Sequence, residues 1–367
     1  MPVLGQHHVI EAFGKAIDHR HHGIAVSDRK RAAGAEIVLH IDDQQHIIIA
    51  GLDLHSGPVF GYLSIAGMGY ANILDAANRN KLRDAMAMND RSSDLRLNWS
   101  ALSQGERDAA YDNNAAVRNS AALIAERNQA SEVLRAGRKS FLDVPYGDRE
   151  RTKIDIYPAV DKTAPCLVFL HGGYWQRNSR DVFAMLVEGV AAHGWSVAIP
   201  GYSLAPDASL TQIVAEISQS LDWLTQNGAA YGIAGPVILS GWSAGAHLVA
   251  MALDHPRVAA GLAISGVYDL APIRDTGLNN ALKLTDREVA ALSPLRLPAI
   301  HKRLDIAYGT AELPALVFDS IRLHEARMVA GAPGRLVPIE GADHFSVLGE
   351  LRRPDGVLVD VARKLVD

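Results

Sequence analysis

A chain of 367 residues with 48% hydrophobic content can build one large α/β domain or two smaller ones, which excludes a wholly disordered protein. Its formal net charge of −5, with no long Lys/Arg run, lacks the electrostatic footprint of nucleic-acid binding. The single cysteine, Cys166, excludes an intrachain disulfide, and its place inside the apolar run CLVFL marks a packed thiol rather than a nucleophile. The first thirty residues lack the basic start and apolar stretch of a secretory leader, and no apolar run approaches the ~20 residues that cross a bilayer. The expectation is a cytoplasmic protein with no membrane or nucleic-acid partner.

Composition changes near residue 90. Eight of the fifteen histidines fall in residues 1–55, whereas all five tryptophans lie at or beyond Trp99. Residues 1–90 offer the short apolar runs EIVLHI, HIIIAGL and VFGYLSIAGMGY but no persuasive helix or catalytic motif. They are expected to form an extension of uncertain fold, and Met86 and Met88 offer alternative starts just before the chain turns helical. The cluster His19, His21 and His22 has no Cys or carboxylate at familiar ligand spacing. It reads as exposed histidines in a weakly structured arm, with no metal expected.

Residues 91–367 read as one domain. The Ala-, Glu- and Arg-rich stretch over 97–137 predicts a helical segment with Ser/Asn caps and Gly137 as its stop. Strand and helix signals then alternate. TKIDIYPA, CLVFLHGG and SVAIPGYS lead to a helix over roughly 208–226, and PVILSGWS leads into a second helix. GLAISGVYDL, LDIAYGTAE, a helix around 315–330, RLVPIEGADH and a last amphipathic helix near 357–366 follow. Short Val/Ile/Leu-rich strands separated by helices predict a mostly parallel central sheet covered on both faces. Ligands of such sheets sit beyond the carboxyl ends of the strands.

The segment VILSGWSAGAHLVAMAL reads strand, sharp turn, helix, and Gly241, Ser243 and Gly245 fit G-x-S-x-G. A plain structural turn is the alternative, but the flanking strand and helix favour a nucleophile elbow. Ser243 is then expected above the sheet, at a helix N-terminus aimed at developing negative charge. Acyl transfer creates an oxyanion that needs two preorganised backbone donors. Ala244 N–H is the first candidate. HGGYW supplies the second, because Gly172 and Gly173 carry no side chain to cover their amides where a core strand meets solvent.

Hydrolases of this order place the acid and then the histidine after the serine. His344 directly follows the late strand in VPIEGADHF, whereas His247 and His324 lie within helices and His301 precedes a strand. For the acid, Glu312 ends LDIAYGTAE just past Gly309. Asp305 stands at the start of that strand, Asp343 adjoins the histidine but would point away from its ring, and Asp269 is one strand early. Glu312 is favoured, with Asp269 its main competitor.

The stretches HGGYWQ, GYSLAPDASLTQIVAEI, GWSAGAHLVAMAL, SGVYDLAPI and the late DHF together resemble the kynurenine formamidase (arylformamidase) family of α/β-hydrolases over residues 97–367. YDNNAAV upstream resembles the family's bacterial members, while the first ninety residues have no counterpart there. The resemblance implies the α/β-hydrolase fold, Ser243 as nucleophile, Glu312 as acid, His344 as base, and the HGGYW loop at the oxyanion hole. Glu stands where animal members commonly carry Asp, and either carboxylate orients an imidazole. The implied reaction is hydrolysis of an aryl formamide such as N-formylkynurenine through a formyl-enzyme, with no cofactor. Tyr174 and Trp175, and less strongly Tyr268, are candidates to border a flat aryl group, with core packing the alternative. A small-acyl carboxylesterase, a deformylase for another N-formyl compound and a non-enzymatic binding module remain as rivals. The outer helices leave room for a homodimer, though no local feature marks its contact.

Overall fold

The structure, a computed structural model, describes residues 99–366 together with the backbone of three strands nearer the start. Backbone contacts divide the chain into Met1–Lys81 and Leu82–Asp367. In the first unit, β1 (Ala35–Ile41), β2 (Ile47–Asp53) and β3 (Gly57–Val59) pair antiparallel in that order. EIVLHI and HIIIAGL thus fall in β1 and β2. The His19, His21 and His22 cluster, Met86, Met88 and most of VFGYLSIAGMGY lie outside the described residues.

The predicted helical stretch over 97–137 is not one helix but three, α1 (Gln104–Ala109), α2 (Asn113–Ala116) and α3 (Ser120–Gly137), after a single helical turn at Trp99–Ala101. Side-chain caps explain the breaks. Ser103 and Glu106 close a reciprocal capping box at α1, and the Asp112 carboxylate accepts from Ala115 N–H to begin α2. Each cap supplies an alternative partner for backbone groups that a continuous helix would use.

Eight strands form the sheet of the second unit: β4 (Phe141–Pro145), β5 (Lys153–Tyr157), β6 (Cys166–Leu170), β7 (Ser196–Pro200), β8 (Val237–Trp242), β9 (Val258–Ile264), β10 (Leu304–Gly309) and β11 (Leu336–Ile339). Their spatial order is β11-β10-β9-β8-β6-β7-β5-β4, antiparallel at β4·β5 and β5·β7 and parallel elsewhere. Short α4 (Val187–Ala191) precedes β7, and α5 (Leu210–Asn227) and α6 (Ala244–Ala252) flank β8. After β9 come α7 (Leu270–Arg274), α8 (Asn279–Leu282) and α9 (Asp286–Leu292). The chain finishes with α10 (Pro314–Val329), α11 (Gly349–Arg352) and α12 (Val357–Arg363).

Two cores follow from the period of two along the strands. Cys166, Val168 and Leu170 of β6 face one core with Leu210, Ile213, Ile217, Leu221 and Leu224 of α5. Leu167 and Phe169 face the other with Leu358, Val359 and Val361 of α12. Burial pushes the Cys166 thiol up to about 12, so it remains protonated packing material. The central strands β6, β7, β8 and β10 are buried along their whole length, as strands covered on both faces must be.

Candidate active site

The turn between β8 and α6 holds Ser243 at φ 57° and ψ −121°, a left-handed conformation costly for a residue with a side chain. Packing at the flanking glycine explains why the chain turns so sharply. A Cβ at Gly245 would lie 2.0 Å from the carbonyl oxygen of Leu170, at the end of β6. Only glycine lets α6 start so close to the sheet, and the strained turn places Ser243 at that helix's N-terminus.

His344 reaches Ser243 from the loop after β11. Its Nε2 lies 3.1 Å from Ser243 Oγ, and its Nδ1 lies 2.8 Å from Glu312 Oε2, in the turn after β10. The serine, histidine and glutamate are 2%, 3% and 8% exposed, so water screens their contacts little. The other Glu312 oxygen accepts from Ser265 Oγ at 2.5 Å and from Gly309 N–H at 2.7 Å. Trp242 steadies the histidine loop. Its indole N–H donates to the His344 carbonyl at 2.8 Å while its ring packs 4.7 Å from the imidazole.

The rival residues are engaged elsewhere. Asp269 caps α7 through Ala271 N–H and pairs with Arg296. Asp305 pairs with Arg335 near the opposite end of β10. Asp343 accepts from the amides of Phe345 and Ser346 in its own turn. His247 donates to the Leu292 carbonyl at 2.7 Å, His301 is exposed, and His324 is half-buried within α10.

Gly172 lies directly against the serine turn, because a Cβ there would sit 2.7 Å from the Trp242 carbonyl oxygen and 2.9 Å from Ser243 Cβ. Beyond it Gly173, Tyr174 and Trp175 all have positive φ, so the loop curls tightly around Ser243's end of the sheet. No backbone hydrogen bond made by turns and loops among the described residues uses the N–H of Gly172, Gly173 or Ala244.

The BD-FAE family model matches residues 154–256, the stretch that carries both the glycine pair and Ser243. The kynurenine formamidase of Danio rerio is 28% identical over 291 residues, covering 73% of this chain and 98% of that one. That of Drosophila melanogaster is 27% identical over 240 residues, covering 60% and 78%. A solved structure of a candidate thioesterase from a Silicibacter species matches with a TM-score of 0.63 and 31% identity, over 70% of this chain and 98% of that chain. The chain is an α/β-hydrolase, and it is similar to kynurenine formamidases over most of its length. As such it is a hydrolase of the esterase type, and its eight-stranded sheet is the α/β-hydrolase sheet.

The aromatic candidates occupy three different settings in this α/β-hydrolase. Tyr174 keeps 9% exposure, with its hydroxyl donating to the Tyr111 carbonyl at 2.7 Å and accepting from Asn113. Trp175 is fully buried, edge-on to His247 at 4.9 Å, and Tyr268 is fully buried beside Gly266. Neither Ser265 nor Trp242 stood out in the sequence. Ser265 directly follows β9 with φ 55°, a strained position like that of Ser243, and only the fold brings it to Glu312. Among the described residues no group of three His, Cys, Asp or Glu side chains is placed to hold a metal, and no helix is long and apolar enough to cross a membrane.

Two buried histidines of this α/β-hydrolase predict acid lability. Burial depresses His171 to about 3 and His247 to about 4, against an ordinary value near 6.5. The unfolded chain therefore binds protons first. The stability these neutral rings contribute is complete above pH ~6.5 and drains away as pH falls toward 4 and then 3. Between pH 7.5 and 5 each histidine should cost about 2 kcal/mol of unfolding free energy. Urea titrations at the two pH values check this. His247→Gln, which can still donate to Leu292, should remove roughly half of the histidine-linked loss, whereas an unchanged pH slope would count against the assignment.

Proposed function

We propose that this hydrolase cleaves aryl formamides, with N-formylkynurenine as the substrate that its likeness to kynurenine formamidases suggests, through a formyl group carried on Ser243. The observation that carries the reading is the unbroken chain from Glu312 Oε2 to His344 Nδ1, at 2.8 Å, and from His344 Nε2 to Ser243 Oγ, at 3.1 Å. His344 takes the serine proton as Oγ attacks the formyl carbon. Glu312 fixes the Nδ1–H tautomer and stabilises the imidazolium that forms. Charge on the former carbonyl oxygen is received by Ala244 N–H and the amides of Gly172 and Gly173, each such donor being worth ~2.7–4 kcal/mol in the transition state. His344 then protonates the departing aryl nitrogen. Water, activated by the same imidazole, attacks the formyl ester, releases formate and returns the proton to Ser243. No step calls for a metal or an organic cofactor.

A second reading, a carboxylesterase for small acyl groups, is favoured by the likeness to the Silicibacter candidate thioesterase, since the same three side chains can cleave an ester. Comparing kcat/KM for N-formylkynurenine and p-nitrophenyl acetate separates the two. The formamidase reading expects formate release from the formamide at least as efficient as ester cleavage. Preference for the ester by several orders of magnitude would replace it with the esterase reading.

A further inference from the structure

The amides of Gly172 and Gly173 are useful to an oxyanion only if their N–H bonds are aimed. In a trans peptide the N–H of one residue points opposite to the carbonyl of the residue before it, so whatever holds that carbonyl also aims the N–H. The peptide that carries Gly172 N–H carries the His171 carbonyl, which accepts from Tyr202 Oη–H at 2.6 Å. The peptide that carries Gly173 N–H carries the Gly172 carbonyl. That oxygen accepts from Asn178 Nδ2–H at 3.1 Å and from His171 Nδ1–H at 3.0 Å.

We propose that Tyr202 and Asn178 are positioning residues that aim the two loop amides of the oxyanion hole by fastening the carbonyls on their reverse sides. The proposal rests on the serine-nucleophile reading above. Both residues are themselves held. The Arg151 guanidinium spans them, donating from Nε to the Tyr202 carbonyl at 3.0 Å and from Nη2 to the Asn178 carbonyl at 2.6 Å. Arg127 reaches Asn178 Oδ1 with Nη2 at 3.4 Å, which turns the amide's NH₂ toward Gly172. Asn178 adopts φ 70°, a conformation that asparagine tolerates better than most residues. The Tyr202 ring stacks on His171 at 4.2 Å, and the Phe183 ring lies nearly parallel to that imidazole at 5.9 Å. The Tyr202 fastening is buried, since Tyr202 and His171 have no exposed surface, and Asn178 is half-buried. The loop's strained φ values at Tyr174 and Trp175 give it reason to relax when a fastener is lost.

Two near-isosteric variants test this. Tyr202→Phe keeps the ring and its stacking and loses only the hydroxyl. Asn178→Asp keeps shape and pairs better with Arg127, but its carboxylate cannot donate to the Gly172 carbonyl. Each is compared with wild type and with Ser243→Ala for kcat, KM, melting temperature and inhibition by phenylboronic acid, whose tetrahedral serine adduct places an oxygen in the hole. The expected result is a kcat reduced roughly ten- to a hundredfold. KM should stay within about twofold, and boronate affinity should weaken by the same factor as kcat. A kcat near wild type in both variants, with Ser243→Ala inactive, overturns this inference and leaves the function standing. A kcat loss without a matching loss of boronate affinity also overturns it, because general loosening gives that pattern. Turnover surviving in Ser243→Ala removes both.

Discussion

Ser243→Ala is expected to lower formate release by roughly a millionfold in kcat, leaving only the modest acceleration that binding and oriented amides provide. The loss should come without unfolding. The serine side chain's hydrogen bond is to His344 Nε2, and alanine meets the same backbone constraint at φ 57°. Thermal melting within a few degrees of wild type, beside a formate assay at background, is the paired result that identifies a nucleophile. A folded variant that still turns over would remove Ser243 from the chemistry.

Glu312→Gln should cost about 10⁴ in kcat, although it changes one atom. The direction of the amide decides why. Ser265 Oγ–H and Gly309 N–H both donate to Glu312 Oε1, so the glutamine oxygen is held there. Its NH₂ must then occupy the place of Oε2, 2.8 Å from His344 Nδ1. Facing a donor, that nitrogen becomes an acceptor and the proton moves to Nε2. A histidine protonated at Nε2 cannot accept the serine proton. Steady-state kinetics with an intact melting curve checks this. A loss of less than tenfold would show that the carboxylate does not set the tautomer. Ser265→Ala, by freeing one Glu312 oxygen, should soften the tautomer bias and fall between wild type and Glu312→Gln.

Local sequence carried much of this site. The serine turn was legible because its cause is local: Gly245 has no room for a side chain beside Leu170, and an apolar strand and a helix flank it. His344 and Glu312 were legible from chain order and from loops that follow apolar strands. Ser265 and Asn178 were not, because nothing near them in sequence distinguishes a serine at a strand end or an asparagine in a loop from any other. Their partners, Glu312 and Gly172, are set by tertiary placement and by left-handed backbone. The sheet's inner strands were readable for their unbroken apolar character. Edge strand β4 escaped because its side chains alternate between exposed and half-buried and its five residues end in proline. The stretch over 97–137 has helix-forming composition throughout, and only the caps at Ser103 and Asp112 divide it.

The most direct measurement is peptide mapping after reaction with an aryl fluorophosphonate, followed against residual formate release. The account predicts one adduct per chain, on the peptide containing Ser243, with activity falling in proportion to labelling. An adduct on another side chain that tracks the loss of activity, or full turnover by enzyme labelled at Ser243, would contradict it.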